Sequence, residues 1–353
     1  MPQFLGKYSD KRILVTGHTG FKGTWLTRIL VLAGAKVYGL SLLPEKNSLF
    51  SKIADLGLQE NSIIDLRDFI EVNSYFSKHK FDGIFHLAAQ PLVIESYKDP
   101  IETFQTNVMG TAHLLQSVLN NNSANWVVIT TTDKVYKNEG RNKGFLENDP
   151  LGGEDPYSAS KTATEMAINA WRNLAALVSP KFKFISVRAG NVIGGGDVAQ
   201  NRLVPDLIRN FHTKTKTSIR NPKAVRPWQY VLDPLNGYLM IGLKLLSEEN
   251  VSNSYNFGPG KKSKITVEQL AKYACTKWDG SIGFEVDYRK GKYPESEILW
   301  LSSKLAKKEL NWVNKLEVKD AIDWTINWEI DSNVRSPLEA MDYQIMNFYG
   351  QLK

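Results

Sequence analysis

The chain has 353 residues, 42% of them hydrophobic and 11% aromatic, which is enough to bury a large core and excludes a disordered protein. Its formal charge of +7 raises nucleic acid as a partner, but most lysines stand singly on solvated helix faces, so no nucleic-acid partner is expected. One cysteine (Cys275) excludes an internal disulfide, the scattered histidines (18, 79, 86, 113, 212) give no metal pattern, and no apolar window could cross a bilayer; a soluble cytoplasmic protein without a membrane partner is expected.

Arg12 opens an apolar strand that runs into glycines at 17, 20 and 23 and then into a helical pattern from Thr24 to Ala33, closed by Gly34. This is a seat for a dinucleotide. Gly17 lets the chain turn off the strand, Gly20 lets backbone amides approach a pyrophosphate, and Gly23 lets the helix pack close to the sheet. The helix N-terminus supplies the positive end of a dipole. Strands then follow at Lys36 to Leu40, Ser62 to Ile64, Gly83 to Leu87, Trp126 to Thr131 and Phe182 to Arg188. Between them the periodicity predicts helices over Phe69 to Lys78, about Ile101 to Asn120, and about Ser158 to Leu174.

Such alternation predicts an α/β fold, a Rossmann-type parallel sheet with helices on both faces. Regularity falls over 191 to 226 and after Gly258, where turns, charges and tryptophans increase. The expected division is a dinucleotide-binding domain over 1–190, with a return of about 226–257, and a smaller mixed substrate lobe from about 191–225 and 258–353. Trp324 and Trp328 read as packing within that lobe. No repeat or low-complexity tract is present.

Tyr157-Ser-Ala-Ser-Lys161 places a phenol and an ammonium on one face of a predicted helix, where an adjacent cation favours phenolate and makes a base for a hydroxyl proton. Spacing alone is weak, because Tyr273 and Lys277, Tyr288 and Lys292, and Tyr349 and Lys353 repeat it. Context separates the first pair. The strand before it ends in Thr130-Thr131-Thr132-Asp133-Lys134, which brings a hydroxyl and two titratable groups to the carboxyl edge of the sheet, where open α/β sheets bind ligands. A basic cluster follows at Arg202, Arg209, Lys214, Lys216, Arg220, Lys223 and Arg226, fitting an anionic small molecule as well as a phosphate backbone.

These residues carry a resemblance over nearly the whole chain. The sequence resembles the extended short-chain dehydrogenase/reductases and, within them, the CDP-glucose 4,6-dehydratases. The matching segments are Val-Thr-Gly-His-Thr-Gly-Phe-Lys-Gly (15 to 23), His-Leu-Ala-Ala-Gln-Pro-Leu-Val (86 to 93), Thr-Asn-Val-Met-Gly-Thr (106 to 111) and Asp-Pro-Tyr-Ser-Ala-Ser-Lys (155 to 161). More specific are Arg-Ala-Gly-Asn-Val-Ile-Gly-Gly-Gly-Asp (188 to 197), Arg-Leu-Val-Pro-Asp (202 to 206) and Arg-Pro-Trp-Gln-Tyr-Val (226 to 231).

The resemblance implies an NAD-dependent lyase that oxidises a CDP-linked hexose at C4, eliminates water across C5 and C6, and returns hydride to C6, an early step toward surface-polysaccharide sugars of the O-antigen type. It implies Tyr157 as the C4 base with Lys161 lowering its pKa, Thr132 holding the sugar hydroxyl, Asp133 as general acid and Lys134 as the C5 base. For the cofactor it implies Gly17, His18, Gly20, Phe21, Lys22 and Gly23, Asp65 with Leu66 at the adenine, and Leu87, Ala88 and Ala89 along the strand edge. Asn191, Arg202 and Arg226 are the expected substrate ligands, the arginines because a bidentate donor suits phosphate. A homodimer or dimer of dimers through two long helices is the expected assembly.

Two departures from the family pattern stand out. The second strand ends Val37-Tyr38-Gly39-Leu40-Ser41 without the acidic residue that usually bonds the adenosine ribose, so NAD over NADP rests on the resemblance. Tyr293-Pro294-Glu295-Ser296 stands where relatives often carry a His-Glu pair. Two other readings share parts of the pattern. A sugar-nucleotide 4-epimerase would use Tyr157 without needing an acid at C6, and a non-catalytic dinucleotide sensor would be expected to lose Tyr157 and Lys161.

Overall fold

A 3-10 turn, Gln3–Tyr8, leads into β1 (Arg12–Thr16), α1 (Phe21–Leu32), β2 (Lys36–Ser41), β3 (Glu60–Ile63), α2 (Phe69–Lys78), β4 (Gly83–His86), α3 (Val93–Lys98), α4 (Pro100–Phe104), α5 (Gly110–Asn121), β5 (Trp126–Thr130), α6 (Pro156–Val178) and β6 (Lys183–Ala189). Next come β7 (Val192–Ile193), α7 (Leu203–Thr213), β8 (Thr217–Ile219), β9 (Val225–Pro227), β10 (Gln229–Tyr230), α8 (Leu232–Leu246), β11 (Ser254–Phe257), β12 (Lys264–Thr266), α9 (Val267–Trp278), β13 (Phe284–Val286), α10 (Lys304–Leu310), α11 (Val318–Val334) and α12 (Pro337–Gly350). The computed structural model describes residues 3–140, 143–178, 181–260, 263–287 and 299–350. The Tyr293 to Ser296 departure, Tyr288 with Lys292, and Lys353 lie outside the described residues.

The central strands are apolar on both faces, and their side chains alternate between two cores. Ile13, Val15, Phe85, Val128 and Val187 enter one core with Trp25, Leu26 and Leu239 of α1 and α8. Leu14, Ile84, Val127, Ile129 and Phe184 enter the other with Phe76, Leu115 and Ile168 of α2, α5 and α6. Burial on both faces is what a parallel sheet covered by helices requires. The seven-stranded sheet has the order β11-β6-β5-β4-β1-β2-β3, and every pairing in it is parallel.

That order reverses at β1: β2 and β3 lie on one side, while β4, β5, β6 and β11 lie on the other. The carboxyl ends of β1 and β4 therefore flank a topological switch point, the crevice where such sheets bind ligands. The irregular segments form small two-stranded sheets beyond this edge: β7 with β10, β8 with β13, and β9 with β12. The C-terminal helices return to the main body, where Arg28 of α1 makes a bidentate ion pair with Asp342 of α12 (2.6 and 2.5 Å).

The helix expected from Thr24 to Ala33 spans Phe21–Leu32, the one expected over about Ser158 to Leu174 spans Pro156–Val178, and two further elements differ in detail. The third strand spans Glu60–Ile63, ahead of the expected Ser62 to Ile64, because its backbone pairs with Tyr38 to Ser41 of β2. The helix expected over 101 to 120 consists of α4 and α5 joined by a π-helical turn, Gln105–Met109. Asn107 within that turn is buried and tied to the loop after β4 and to α6: its amide donates to Gln90 O at 3.1 Å and to Ser160 Oγ at 2.9 Å. A local widening of the helix is thus held by contacts far away in sequence.

Candidate active site

The glycine loop lines the crevice between the ends of β1 and β4. Gly17 has φ +70°, and a Cβ there would lie 2.6 Å from Ala88 N, so only glycine lets the loop pass the end of β4. A Cβ on Gly23 would lie 2.0 Å from Gly17 O, which is why α1 can start directly beneath the loop. Gly20 caps α1 without a side-chain hydrogen bond, and the first turn carries no acidic residue. Bare amides at a helix start are suited to an anion. Phe21 closes against the Gly194 backbone, with its Cζ 3.2 Å from where a Cβ would stand.

His18 is buried over β2, and its ring leaves no room for a Cβ on Gly39 (2.6 Å). It shares a 2.8 Å hydrogen bond with Asn61, and burial lowers its pKa, keeping the imidazole neutral. Where the acidic residue of the ribose contact is missing, Ser41 shares a 2.8 Å hydrogen bond with Thr19. Asp65 at the end of β3 is held by Arg67 at 2.7 to 3.0 Å, and that pairing keeps its carboxyl below the usual range. Leu66 is buried, and its carbonyl accepts from His113 Nδ1 at 2.8 Å. Leu87 N donates to Thr16 O (3.1 Å) and Ala88 N to Thr16 Oγ1 (3.4 Å), while Ala89 stays half-buried on the same edge.

On the other side of the crevice α6 presents Tyr157 and Lys161, both buried. Burial pushes the phenol up to about 12; the hydrogen bond with Thr132 and the Arg202 charge pull it down, and Asp133 and Asp155 push it up. Lys161 donates to Thr130 O at 3.2 Å, and burial brings its ammonium down to about 8, opposed by Glu165.

Asp133 is buried, with Oδ1 accepting from Thr132 Oγ1 at 3.1 Å and Oδ2 without a partner among the described residues. Burial holds its carboxyl above the usual range despite Lys134 and Arg226 nearby. A buried carboxyl that holds its proton more tightly than usual, with one oxygen to spare, is suited to donate a proton. Lys134 is half-buried beside it, its backbone N donating to Thr132 Oγ1 at 3.4 Å.

From the lobe, Arg202 precedes α7 and reaches Asp197 Oδ2 (3.4 Å) and Pro91 O (3.5 Å). Arg226, on β9, acts on Asp133. The rest of the basic cluster is exposed, Arg209 being paired with Asp206 at 2.6 Å. Asn191 is exposed at the mouth, its carbonyl accepting from Gln229 N at 2.9 Å. The Gly194-Gly195-Gly196-Asp197 loop packs on Trp328, which occupies the space a Cβ on Gly195 would need (2.1 Å), so this tryptophan is lobe packing as expected.

Two contributions are not legible in the sequence. Tyr238 of α8 accepts a 3.2 Å hydrogen bond from Lys22 Nζ and lies near Tyr157. Burial, with Lys161 and Arg202 nearby, brings Lys22 down to about 7. His86 on β4 shares hydrogen bonds with Thr16 (2.6 Å) and Thr111 (3.0 Å); burial and the Lys161 charge bring it down to about 3, so it stays neutral beneath the site. Their partners are distant in sequence, so no local pattern reveals them. Among the described residues no group of three or more His, Cys, Asp or Glu could hold a metal ion, and no helix is long and apolar enough to cross a membrane.

The chain is 44% identical over 286 residues to the CDP-glucose 4,6-dehydratase of Salmonella typhimurium, covering 79% of this chain and 80% of that one. Among solved structures, Pal from Bacillus thuringiensis matches with a TM-score of 0.78 at 26% identity, over 91% of this chain and 99% of that one. DesIV, the dTDP-glucose 4,6-dehydratase of Streptomyces venezuelae, shares the fold with a TM-score of 0.75 at 22% identity, over 93% and 99%. Residues 14–325 match the family model described as GDP-mannose 4,6 dehydratase, and with the glycine loop, Tyr157, Lys161 and the Thr132 to Lys134 segment assembled at one crevice, the chain belongs to that family.

Proposed function

We propose that the protein is an NAD-dependent hydro-lyase that converts CDP-glucose to CDP-4-keto-6-deoxyglucose. The observation that carries this reading is the buried Asp133 carboxyl with an oxygen unpartnered among the described residues, on the same three-residue segment as Thr132 and Lys134 and facing Tyr157. Oxidation at C4 needs a base and a hydride acceptor; loss of the C6 hydroxyl also needs an acid. The 44% identity to a CDP-glucose 4,6-dehydratase supports the nucleotide and the sugar.

The crevice fits a dinucleotide, since bare first-turn amides, Gly17 and Gly23 provide close approach, and Lys22 and Lys161 provide positive charge. Gly20, Phe21 and His18 would line the pyrophosphate side, Asp65 and Leu66 the adenine, and Leu87, Ala88 and Ala89 the path between. NAD supplies a hydride acceptor at C4 and donor at C6. Tyr157 takes the C4 hydroxyl proton, with Thr132 and Arg202 favouring its phenolate. Lys134 removes the C5 proton, made acidic by the new ketone, and Asp133 protonates the departing hydroxyl. Asn191, Arg202 and Arg226 hold the CDP portion, the lobe of 191–225 and 258–353 supplying substrate contacts to the sheet domain.

Exposed apolar side chains on α4 (Ile101, Phe104) and α6 (Met166, Leu174, Leu177) support a homodimer or dimer of dimers through these helices. A cytoplasmic enzyme feeding surface-polysaccharide sugars is the setting this chemistry fits. Incubating purified protein with NAD⁺ and CDP-, dTDP-, UDP- or GDP-glucose tests the reading. A 4-keto-6-deoxy product from CDP-glucose alone is expected; epimerisation at C4 without water loss overturns it.

A further inference from the structure

Glu165 lies one helical turn beyond Lys161 on α6, and its carboxylate is fully engaged. Arg188 of β6 donates to both oxygens, Nε to Oε1 at 2.8 Å and Nη2 to Oε2 at 2.9 Å, and Thr131 Oγ1 donates to Oε1 at 2.6 Å. The two charged side chains are 4% and 5% exposed. From its far side, Arg188 Nη1 donates to the Tyr136 phenol (2.6 Å) and to Glu147 O (2.8 Å), and Tyr136 donates to Asn256 Oδ1 at 2.8 Å. Burying such a pair is costly, and it persists here because every partner is satisfied.

Its location points to its use. Thr131 immediately precedes the Thr132-Asp133-Lys134 segment and Tyr136 follows it closely, so one ion pair grips both ends of the segment. Glu165 also faces Lys161. The other titratable groups facing that ammonium are Lys22 from α1 and the neutral His86 from β4, while Glu165 itself is met by Arg188 from β6 and Arg172 from α6.

We propose that Glu165, paired with Arg188, is a positioning residue for the reaction: it fixes the Thr132 to Lys134 segment and supplies the negative charge that Lys161 faces. This rests on the function proposed above. Removing that charge must lower the pH at which Lys161 loses its proton, since a nearby anion favours the ammonium.

The test uses Glu165→Gln and Tyr136→Phe in the full chain. Carbon-13-labelled lysine, with Lys161→Met for assignment, follows the Lys161 amine; steady-state kinetics with NAD⁺ and CDP-glucose gives kcat and KM. Glu165→Gln is expected to move the Lys161 titration about one pH unit down and to lower kcat at least about tenfold with KM little changed. Tyr136→Phe, which loosens only one end of the grip, is expected to lower kcat about threefold to tenfold and leave the Lys161 titration in place. A folded Glu165→Gln with an unmoved titration and wild-type kcat overturns the inference; if that variant does not fold, wild-type kcat in Tyr136→Phe does. A wild type inactive on CDP-glucose refutes the proposed function, while the Lys161 titration still decides the role of Glu165.

Discussion

Asp133→Asn separates the two halves of the reaction. The carboxyl is buried, Thr132 donates to Oδ1 at 3.1 Å, and Oδ2 has no partner among the described residues. Asparagine keeps the shape and can keep the Thr132 contact through its oxygen, so the essential loss is one transferable proton. A positioned acid contributes about 10² to 10⁴ in rate, or about 2.7 to 5.4 kcal/mol of barrier at about 1.36 kcal/mol per tenfold. Stability should move the other way. Because burial raises the folded-state pKa, this carboxyl stabilises the fold at acid pH and loses that contribution as pH rises through the raised value, so at neutral pH the amide is expected to melt at or above wild type. In rapid mixing with NAD⁺ and CDP-glucose, the variant is expected to accumulate reduced nicotinamide, seen by its near-ultraviolet absorption, while the deoxy product fails to form. Product formation at the wild-type rate would refute the assignment of Asp133 as the acid.

Lys134→Ala is expected to retain cofactor affinity by fluorescence titration yet abolish dehydration; near-normal turnover removes Lys134 as the C5 base. Gly23→Ala places a Cβ 2.0 Å from Gly17 O, a backbone clash expected to cost about 1–3 kcal/mol and to abolish cofactor binding by calorimetry, whereas Gly6→Ala, with nothing within 4 Å, is expected to bind normally. Burial brings Lys161 down to about 8, so its charge is present below that pH and lost above it; the rate is expected to fall on the alkaline side, and a profile flat through that region would exclude a need for the ammonium.

Much of this site is legible in the sequence because its parts are local. The glycine loop sits between one strand and one helix, and positive φ at Gly17 and the missing room at Gly23 are what those glycines announce. The Thr132 to Lys134 segment is read the same way, as the end of one strand. What the sequence hides is long-range. Glu165 and Arg188 occupy different elements, and nothing around either tells that a charge will be buried against the other. Lys22 meets Tyr238 216 positions away. The π-helical turn at Gln105–Met109 leaves the apolar periodicity nearly intact and shows only where Asn107 meets Gln90 and Ser160.

The central claim is that a hydride leaves C4 and returns to C6 within one turnover. CDP-glucose carrying deuterium at C4, converted by the purified protein with NAD⁺ and followed by NMR, tests it directly. A 4-keto-6-deoxy sugar with the deuterium at C6 is expected. Deuterium retained at C4 of an epimerised hexose, or a deoxy product with no deuterium at C6, would contradict it.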